Sequence, residues 1–255
     1  MSTSGPYSAR ITKGGLLFEA MRTLIMAYRP EWSRSEFRSY VVEKGVLAGA
    51  STARQKTLLS FFYSRYVETV VSFSALQTLL HHGSPKAQGY LLYLHAAQGD
   101  ALIRDVVSRY LFERFYAGKT RVTPAETARW VHELLTEQGM SWNAAVATKA
   151  AHSILALLRD AGLLEGIQHK QIRYPYLTVD VAAYLVYHLR AEGFSTGKRV
   201  LEHPDWKLFL LTPSGVDEVL GRVADAGLIT WVAAGSVYRL EPHHTSIEEA
   251  AHALV

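Results

Sequence analysis

Cysteine is absent from this 255-residue chain. The absence excludes thiolate nucleophiles, disulfide scaffolds, Cys-ligated zinc modules and dithiol redox centres, and it fits a reducing compartment. Glycine (18) and proline (8) are ordinary in number, which excludes collagen-like and low-complexity classes. No long apolar run is present either. The nearest approach, Trp142 to Leu158, carries Asn143, Lys149 and His152 and falls short of the roughly 20 apolar residues of a membrane span. It is expected to be a helix buried in protein. The first fifteen residues, MSTSGPYSARITKGG, hold no apolar stretch that could act as a signal core. A cytoplasmic location and no membrane partner are the expectations.

Catalytic spacing is also missing. Gly118-Lys119-Thr120 ends like a phosphate-binding loop, but the position five before Gly118 is Glu113. His132-Glu133 is followed by Thr136 where a zinc protease needs its second His. No G-x-S-x-G, G-x-G-x-x-G or Asp-rich calcium loop occurs. The pairs His81-His82 and His243-His244 point to different sides of the backbone and read as solvated loop residues. His152 reads as a core or interface histidine. The expectation is a protein with no catalytic residue, no metal, no cofactor and no small-molecule substrate.

What is present is apolar material and a lopsided charge. Nearly half of the residues (49%) are apolar, enough to build buried cores, and the length suits one large domain or two to three small ones. The formal net charge is only +4. Residues 1–66 nevertheless hold ten Lys and Arg against four Glu, whereas residues 171–255 hold seven basic against ten acidic side chains. A basic N-terminal third on a near-neutral body is the asymmetry of a chain whose one end meets a polyanion. The 14 Tyr, 9 Phe and 5 Trp fall mostly at helical core spacing, as in Phe61-Phe62 and Tyr184/Tyr187, so they read as core rather than as base-stacking platforms.

Helical periodicity dominates the chain. Leu16, Phe18, Met21, Leu24, Ile25 and Tyr28 share one face of a helix over 15–28, ended by Pro30. Ser33 with Glu36 spells a capping box for a second helix, which stops at Gly45. A third begins near Ser51 or Thr52 and shows Thr52, Arg54, Gln55 and Lys56 to solvent in its first turn. Three short helices with a Gly-containing link before the last is the layout of a helix-turn-helix unit. The middle reads as all helix: 73–80, 85–97, 100–116, a helix opened by Thr123-Pro124 with Glu126 completing a capping box, and a long helix capped by Ser141 and ending at Arg159.

The last part repeats a phrase. LLRDAGLLEG at 157–166 and RVADAGLITW at 222–231 share a helix end, Asp-Ala-Gly-Leu and a short extended run. In the second copy a hairpin is legible: 228–233, a turn at Ala234-Gly235-Ser236, then 237–240. With a helix over 178–192, a loop holding Gly193 and Gly197, a short helix at 205–211 and a helix over 213–226, residues 178–241 read as a winged-helix candidate. Its third helix opens on Ser214, Gly215, Asp217 and Glu218, and two acids there argue against docking on phosphates.

The stretches YSARITKGGLLFEAMRTLI, GYLLYLHAAQGDALIRDVVSRYLFERF and LLRDAGLL resemble the BrxA family of bacterial BREX phage-defence systems, over roughly residues 7–165. The resemblance implies a small, non-enzymatic, mostly helical protein that binds double-stranded DNA beside larger BREX proteins. The fold expected is mostly α: helical bundle units of helix-turn-helix type with a C-terminal winged-helix module carrying a small β-hairpin. Three regions are expected: a basic bundle at 1–66, a central helical domain at 67–170, and a winged-helix domain with a tail at 171–255. From charge and position, Arg10, Lys13, Arg34, Arg38, Thr52, Arg54, Gln55 and Lys56 are the DNA-binding candidates. Arg10 and Lys13 are assigned to a flexible arm and Gln55 to a base edge. The rival expectation is a protein–protein adaptor that docks other defence components through the winged-helix end.

Overall fold

The first helical turn of the chain is docked rather than free. In a computed structural model, which describes residues 6–167 and 169–255, Ala9–Lys13 forms a 3-10 turn capped by Ser8, with Ile11 fully buried and the turn packed against a helix from the middle of the chain. This corrects the flexible arm expected for Arg10 and Lys13: burial of Ile11 and of Tyr7 pins the segment. Residues 1–5, the start of the N-terminal stretch that holds no apolar core, lie outside the described residues.

Helix α1 (Phe18–Ala27) begins three residues later than the periodicity suggests, because Leu17 adopts a left-handed backbone (φ 57°) that no helix can pass through. Helix α2 (Arg34–Glu43) starts where the sequence says, with the Ser33/Glu36 capping box formed in both directions. Helix α3 (Thr52–Phe62), capped by Ser51, runs on into a π-helical turn at Tyr63–Val67, where the Glu68 N–H reaches the Tyr63 carbonyl. Tyr28 meets Phe37, Phe62 and Phe73 at ring separations of 4.6–5.2 Å, and this cluster closes the unit. The Gln77 amide donates to the carbonyls of Ile25 and Tyr28, serving the open end of α1.

Helices α4 (Phe73–His82) and α5 (Pro85–Gln98) follow. Every residue of α5 from Tyr90 to Ala97 is buried, so this stretch is the axle of the fold and carries no solvent face. The stretch expected as one helix over 100–116 is α6 (Ala101–Asp105), a π-helical turn at Val106–Leu111, and α7 (Phe112–Tyr116). The corner between α5 and α6 needs Gly99. A Cβ built there would stand 2.3 Å from the Ser64 carbonyl oxygen and 2.8 Å from the Arg65 Cα. Both are backbone atoms and have nowhere to go, so Gly99→Ala is expected to cost about 2 kcal/mol, read as a lowered Tm in thermal melts.

Helices α8 (Pro124–Glu137) and α9 (Ala144–Asp160) pair closely. The Thr123/Glu126 capping box forms as spaced. The cap of α9 is Asn143, not Ser141: its side-chain oxygen accepts from the Val146 N–H at 2.9 Å. His152 faces solvent on α9, correcting the core reading, since the apolar stripe runs along Ala147, Ala150, Ala151 and Ile154 instead. The middle is also not all helix. Strand β1 (Arg121–Val122) pairs antiparallel with β3 (Lys170–Ile172), which pairs in turn with β2 (Leu164–Glu165). Strands of two and three residues are too short for an alternating pattern to register in sequence.

The C-terminal part opens with α10 (Val179–Ala191), buried from Val181 to Leu189 against α5. A short helix, α11 (Gly197–Leu201), occupies what reads as a loop, and a 3-10 turn spans Pro204–Phe209. Helix α12 (Pro213–Asp225) leads into the hairpin of β4 (Ile229–Ala234) and β5 (Val237–Pro242), with Ile229 opposite Pro242 and a two-residue Gly235-Ser236 turn. The expected tail is helix α13 (Ile247–Ala253), which returns to pack on α4 and α10 through Ile247, Ala250 and Ala251. The molecule is mostly helical with a small antiparallel hairpin near its C-terminus. Among the described residues no helix is long and apolar enough to cross a membrane.

Candidate nucleic-acid interface

Four of the eight candidate residues come together on one groove. Arg34 and Arg38 stand one turn apart on α2, and Lys56 stands on the facing side of α3. Arg10 closes the end from the docked 3-10 turn. The groove has a volume of about 600 Å³, with Leu59 and Tyr63 among its apolar surfaces and Ser35, Ser60 and Ser64 adding hydroxyls. Tyr63 fastens the two walls: its hydroxyl donates to the Arg34 carbonyl at 3.0 Å, and the Arg34 guanidinium lies over its ring at 5.0 Å. Burial pushes the Tyr63 hydroxyl pKa up, with Tyr28 adding to that and the Arg34 and Arg38 charges opposing it, so the group stays a neutral donor. Among the described residues the only acid lining the groove, Glu68, pairs with Arg34 at 3.2 Å. Both partners are largely exposed, so the pair is worth little and exchanges readily for another anion.

The other four candidates stand off this groove. Thr52 is exposed at the start of α3. Arg54 donates to the Lys13 carbonyl at 3.1 Å, which ties the first turn of α3 to the 3-10 turn. Gln55 is half-buried and donates its amide to the Ala50 carbonyl at 3.0 Å, so its NH₂ is engaged within the protein rather than held toward a base edge. Ser60, Tyr63 and Ser64 also line the groove, although no charge or motif marks them in sequence. The available signal is their spacing of four, seven and eight residues from Lys56, which places them along one helix face.

The chemistry on offer is anion recognition. Guanidinium forks, an ammonium and hydroxyls converge without a nucleophile–base pair beside them. Among the described residues no group of three or more His, Asp or Glu is arranged to hold a metal ion. The C-terminal part presents the opposite charge. Asp217 at the start of α12 accepts from the Trp231 indole at 2.7 Å, tying helix to hairpin. Glu218 lines a separate pocket of about 450 Å³ with the exposed Tyr174 and Tyr176. Arg222 at 4.6 Å and Lys86 at 5.4 Å each stand over the Tyr176 ring.

No curated protein matches the chain. A solved structure shares the fold: the crystal structure of an uncharacterized protein from Magnetospirillum magneticum superposes with a TM-score of 0.63 at 16% identity, covering 77% of this chain and 96% of that one. The family model for BrxA matches residues 5–189, which include the whole groove and both capping boxes. The chain therefore belongs to the BrxA family and is a component of a BREX phage-defence system.

Proposed function

We propose that this protein is a non-enzymatic subunit that binds double-stranded DNA in a sequence-tolerant way, through phosphates held in the groove between α2 and α3. The observation that carries this reading is the convergence of Arg10, Arg34, Arg38 and Lys56 on one concave surface. The α1–α2–α3 unit has the order of a helix-turn-helix bundle, and α3 supplies the groove wall as a recognition helix would. Two further units fit a winged-helix reading. In the first, α8 and α9 are followed by β2 and β3, with β1 completing a sheet of order β1–β3–β2. In the second, α10, α11 and α12 lead into the β4–β5 hairpin. The exposed Asn143, Thr148, Lys149 and His152 of α9 offer a second, weaker polar face to a duplex.

The test is fluorescence anisotropy of a labelled random duplex of about 30 base pairs, titrated at several salt concentrations. Four groove contacts should give a slope of log K against log salt of about −3.6, rising to about −5 to −7 if Lys13, Arg54 and the α9 face also engage. No binding at low salt removes the DNA reading for the isolated protein.

An adaptor role is the second reading, and the acidic, aromatic pocket of Tyr174, Tyr176 and Glu218 favours it. A partner presenting a basic or aromatic segment would fit there. Glu218→Lys in the full chain separates the readings, because duplex affinity should hold or rise while capture of a BREX partner falls.

A further inference from the structure

The elements β1, α8, α9, β2 and β3 follow one another in the chain and pack as one unit. Strand β3 pairs antiparallel with both β1 and β2, and α8 packs along α9. The turn between the helices, residues 138–143, holds Gly139 in the left-handed region (φ 65°) and buries Met140. A strand, two helices joined by a Gly-containing turn, and a hairpin that closes a three-stranded sheet have the connectivity of a winged helix. Within it α9 stands where the groove-reading helix stands.

The solvent face of α9 suits that place. Asn143, Thr148, Lys149 and His152 are exposed along its N-terminal half, the half that such a helix turns to base edges. From Ala144 to Arg159 the helix carries no carboxylate, whereas a face that only solvates mixes both signs. The acids at its far end are engaged, Asp160 with Arg159 and Glu165 with Arg173. On α8, Glu126 pairs with Arg114 and Glu137 with Arg109, while Glu133 stands one turn from Arg129. The exposed Lys119, Arg121 and Lys149 have no acidic partner among the described residues, so the unit presents a surplus of positive charge.

This face also continues from the basic N-terminal unit. The 3-10 turn that carries Arg10 and Lys13 packs on α9, and Gly15 lies against the backbone of Ser153 and Leu157. That contact covers part of the C-terminal half of α9 and leaves the N-terminal half open. Helix α12, which stands in the same position ahead of the β4–β5 hairpin, instead exposes Asp217, Glu218 and Asp225.

We propose that α9 is the helix that enters the major groove of a DNA duplex, with Thr148, Lys149 and His152 against base edges and Arg121 against a flanking phosphate. The inference rests on the DNA reading and adds a second kind of contact to it. The α2–α3 groove holds phosphates, which give affinity without regard to sequence, whereas a helix in the major groove meets the bases themselves. Lys149 matches the guanine acceptors O6 and N7.

The experiment compares two duplexes of about 30 base pairs and one sequence, the first carrying 5-hydroxymethylcytosine and the second its glucosylated form. The glucosyl group stands in the major groove, where the C5 position of a pyrimidine points, and adds no charge. In anisotropy at 0.1 M salt the full-length wild type should bind the glucosylated duplex about tenfold more weakly. Ala145→Glu sets a long acidic side chain on the exposed face in the first turn of α9, where a carboxylate favours the helix, so its Tm should hold. It should bind the unglucosylated duplex about tenfold more weakly than wild type does and no longer distinguish the two. The Arg38→Glu, Lys56→Glu double variant should weaken both duplexes alike and keep the difference between them. Equal binding of the two duplexes by wild type overturns the placement of α9 and leaves the phosphate groove standing. A difference that persists in Ala145→Glu puts another element in the major groove and overturns it too. No binding of either duplex removes the DNA reading and this inference together.

Discussion

Replacing Arg38 and Lys56 together by Glu should weaken duplex binding about a hundredfold at 0.1 M salt while the protein melts as wild type does. The two side chains project from opposite walls of the groove, and on the proposed reading each would meet a phosphate of its own. Each phosphate contact contributes about 0.9 to the salt slope, so neutralising the pair with Gln should lower the slope by about 1.8, and reversal adds repulsion. The fold should not notice. Both residues are exposed, and among the described residues neither side chain makes a hydrogen bond or ion pair, so the stability change should stay within about 0.5 kcal/mol. Anisotropy at three salt concentrations, with thermal melts alongside, reads both quantities. A double variant that binds like wild type would move the interface to the Lys13–Arg54 side or to α9.

Acid should loosen the core through His188. This residue is fully buried on α10, and burial is the main reason its pKa falls from 6.5 to about 4; Asp205 opposes the fall and His203 adds to it. Its Nε2 stands 3.3 Å from the Gln98 amide, which also donates to Asp205 at 2.7 Å. His95 on α5 shifts the same way, through burial first and the His188 charge second, while it bonds Thr69 and Tyr184. As pH falls through 6.5 the unfolded chain takes up these protons and the folded chain refuses them until far lower. Stability contributed by the neutral imidazole is therefore complete above pH 6.5 and lost progressively down to about pH 4. For His188 alone the loss amounts to about 3 kcal/mol.

Glu192 works against it. Burial and Asp205 raise its carboxyl pKa, so the folded state holds that proton more readily than the unfolded one and gains some stability on the acid side. Denaturant melts of wild type and His188→Gln at pH 7 and pH 4.5 measure the balance. The variant should lose less stability on acidification, by about 2 kcal/mol or more. Equal losses in the two proteins would mean that His188 titrates normally in the fold.

Much of this architecture was legible residue by residue, and the failures share a cause. Ser33/Glu36 and Thr123/Glu126 form their capping boxes because a cap is a contact between residues three apart. The β4–β5 hairpin lies where the alternating run and Gly235 place it. Periodicity starts α1 too early because the left-handed Leu17 leaves no trace in an apolar pattern, and nothing local to Ala9–Lys13 shows that this turn is docked. The strands at 121–122, 164–165 and 170–172 pair across as many as fifty residues and are too short to announce themselves. In the interface, the basic residues were visible as a charge excess, but their grouping was not. Arg10 joins Arg34, Arg38 and Lys56, whereas Arg54 and Gln55, adjacent to Lys56 in sequence, turn back onto backbone carbonyls.

The sequence by itself determined the helical class, most helix boundaries and the basic character of the N-terminal third. Each of these follows from hydrogen bonds and side-chain periodicity within a few residues, or from composition alone. Tertiary structure decided which cations share a groove, that Arg65 and His188 are sealed from water, and that α13 folds back onto α4. Those outcomes depend on burial of apolar surface between segments far apart in the chain, such as Ile11 against α9 and α10 against α5. That burial is set by the packing of the whole molecule and is not written in any local stretch.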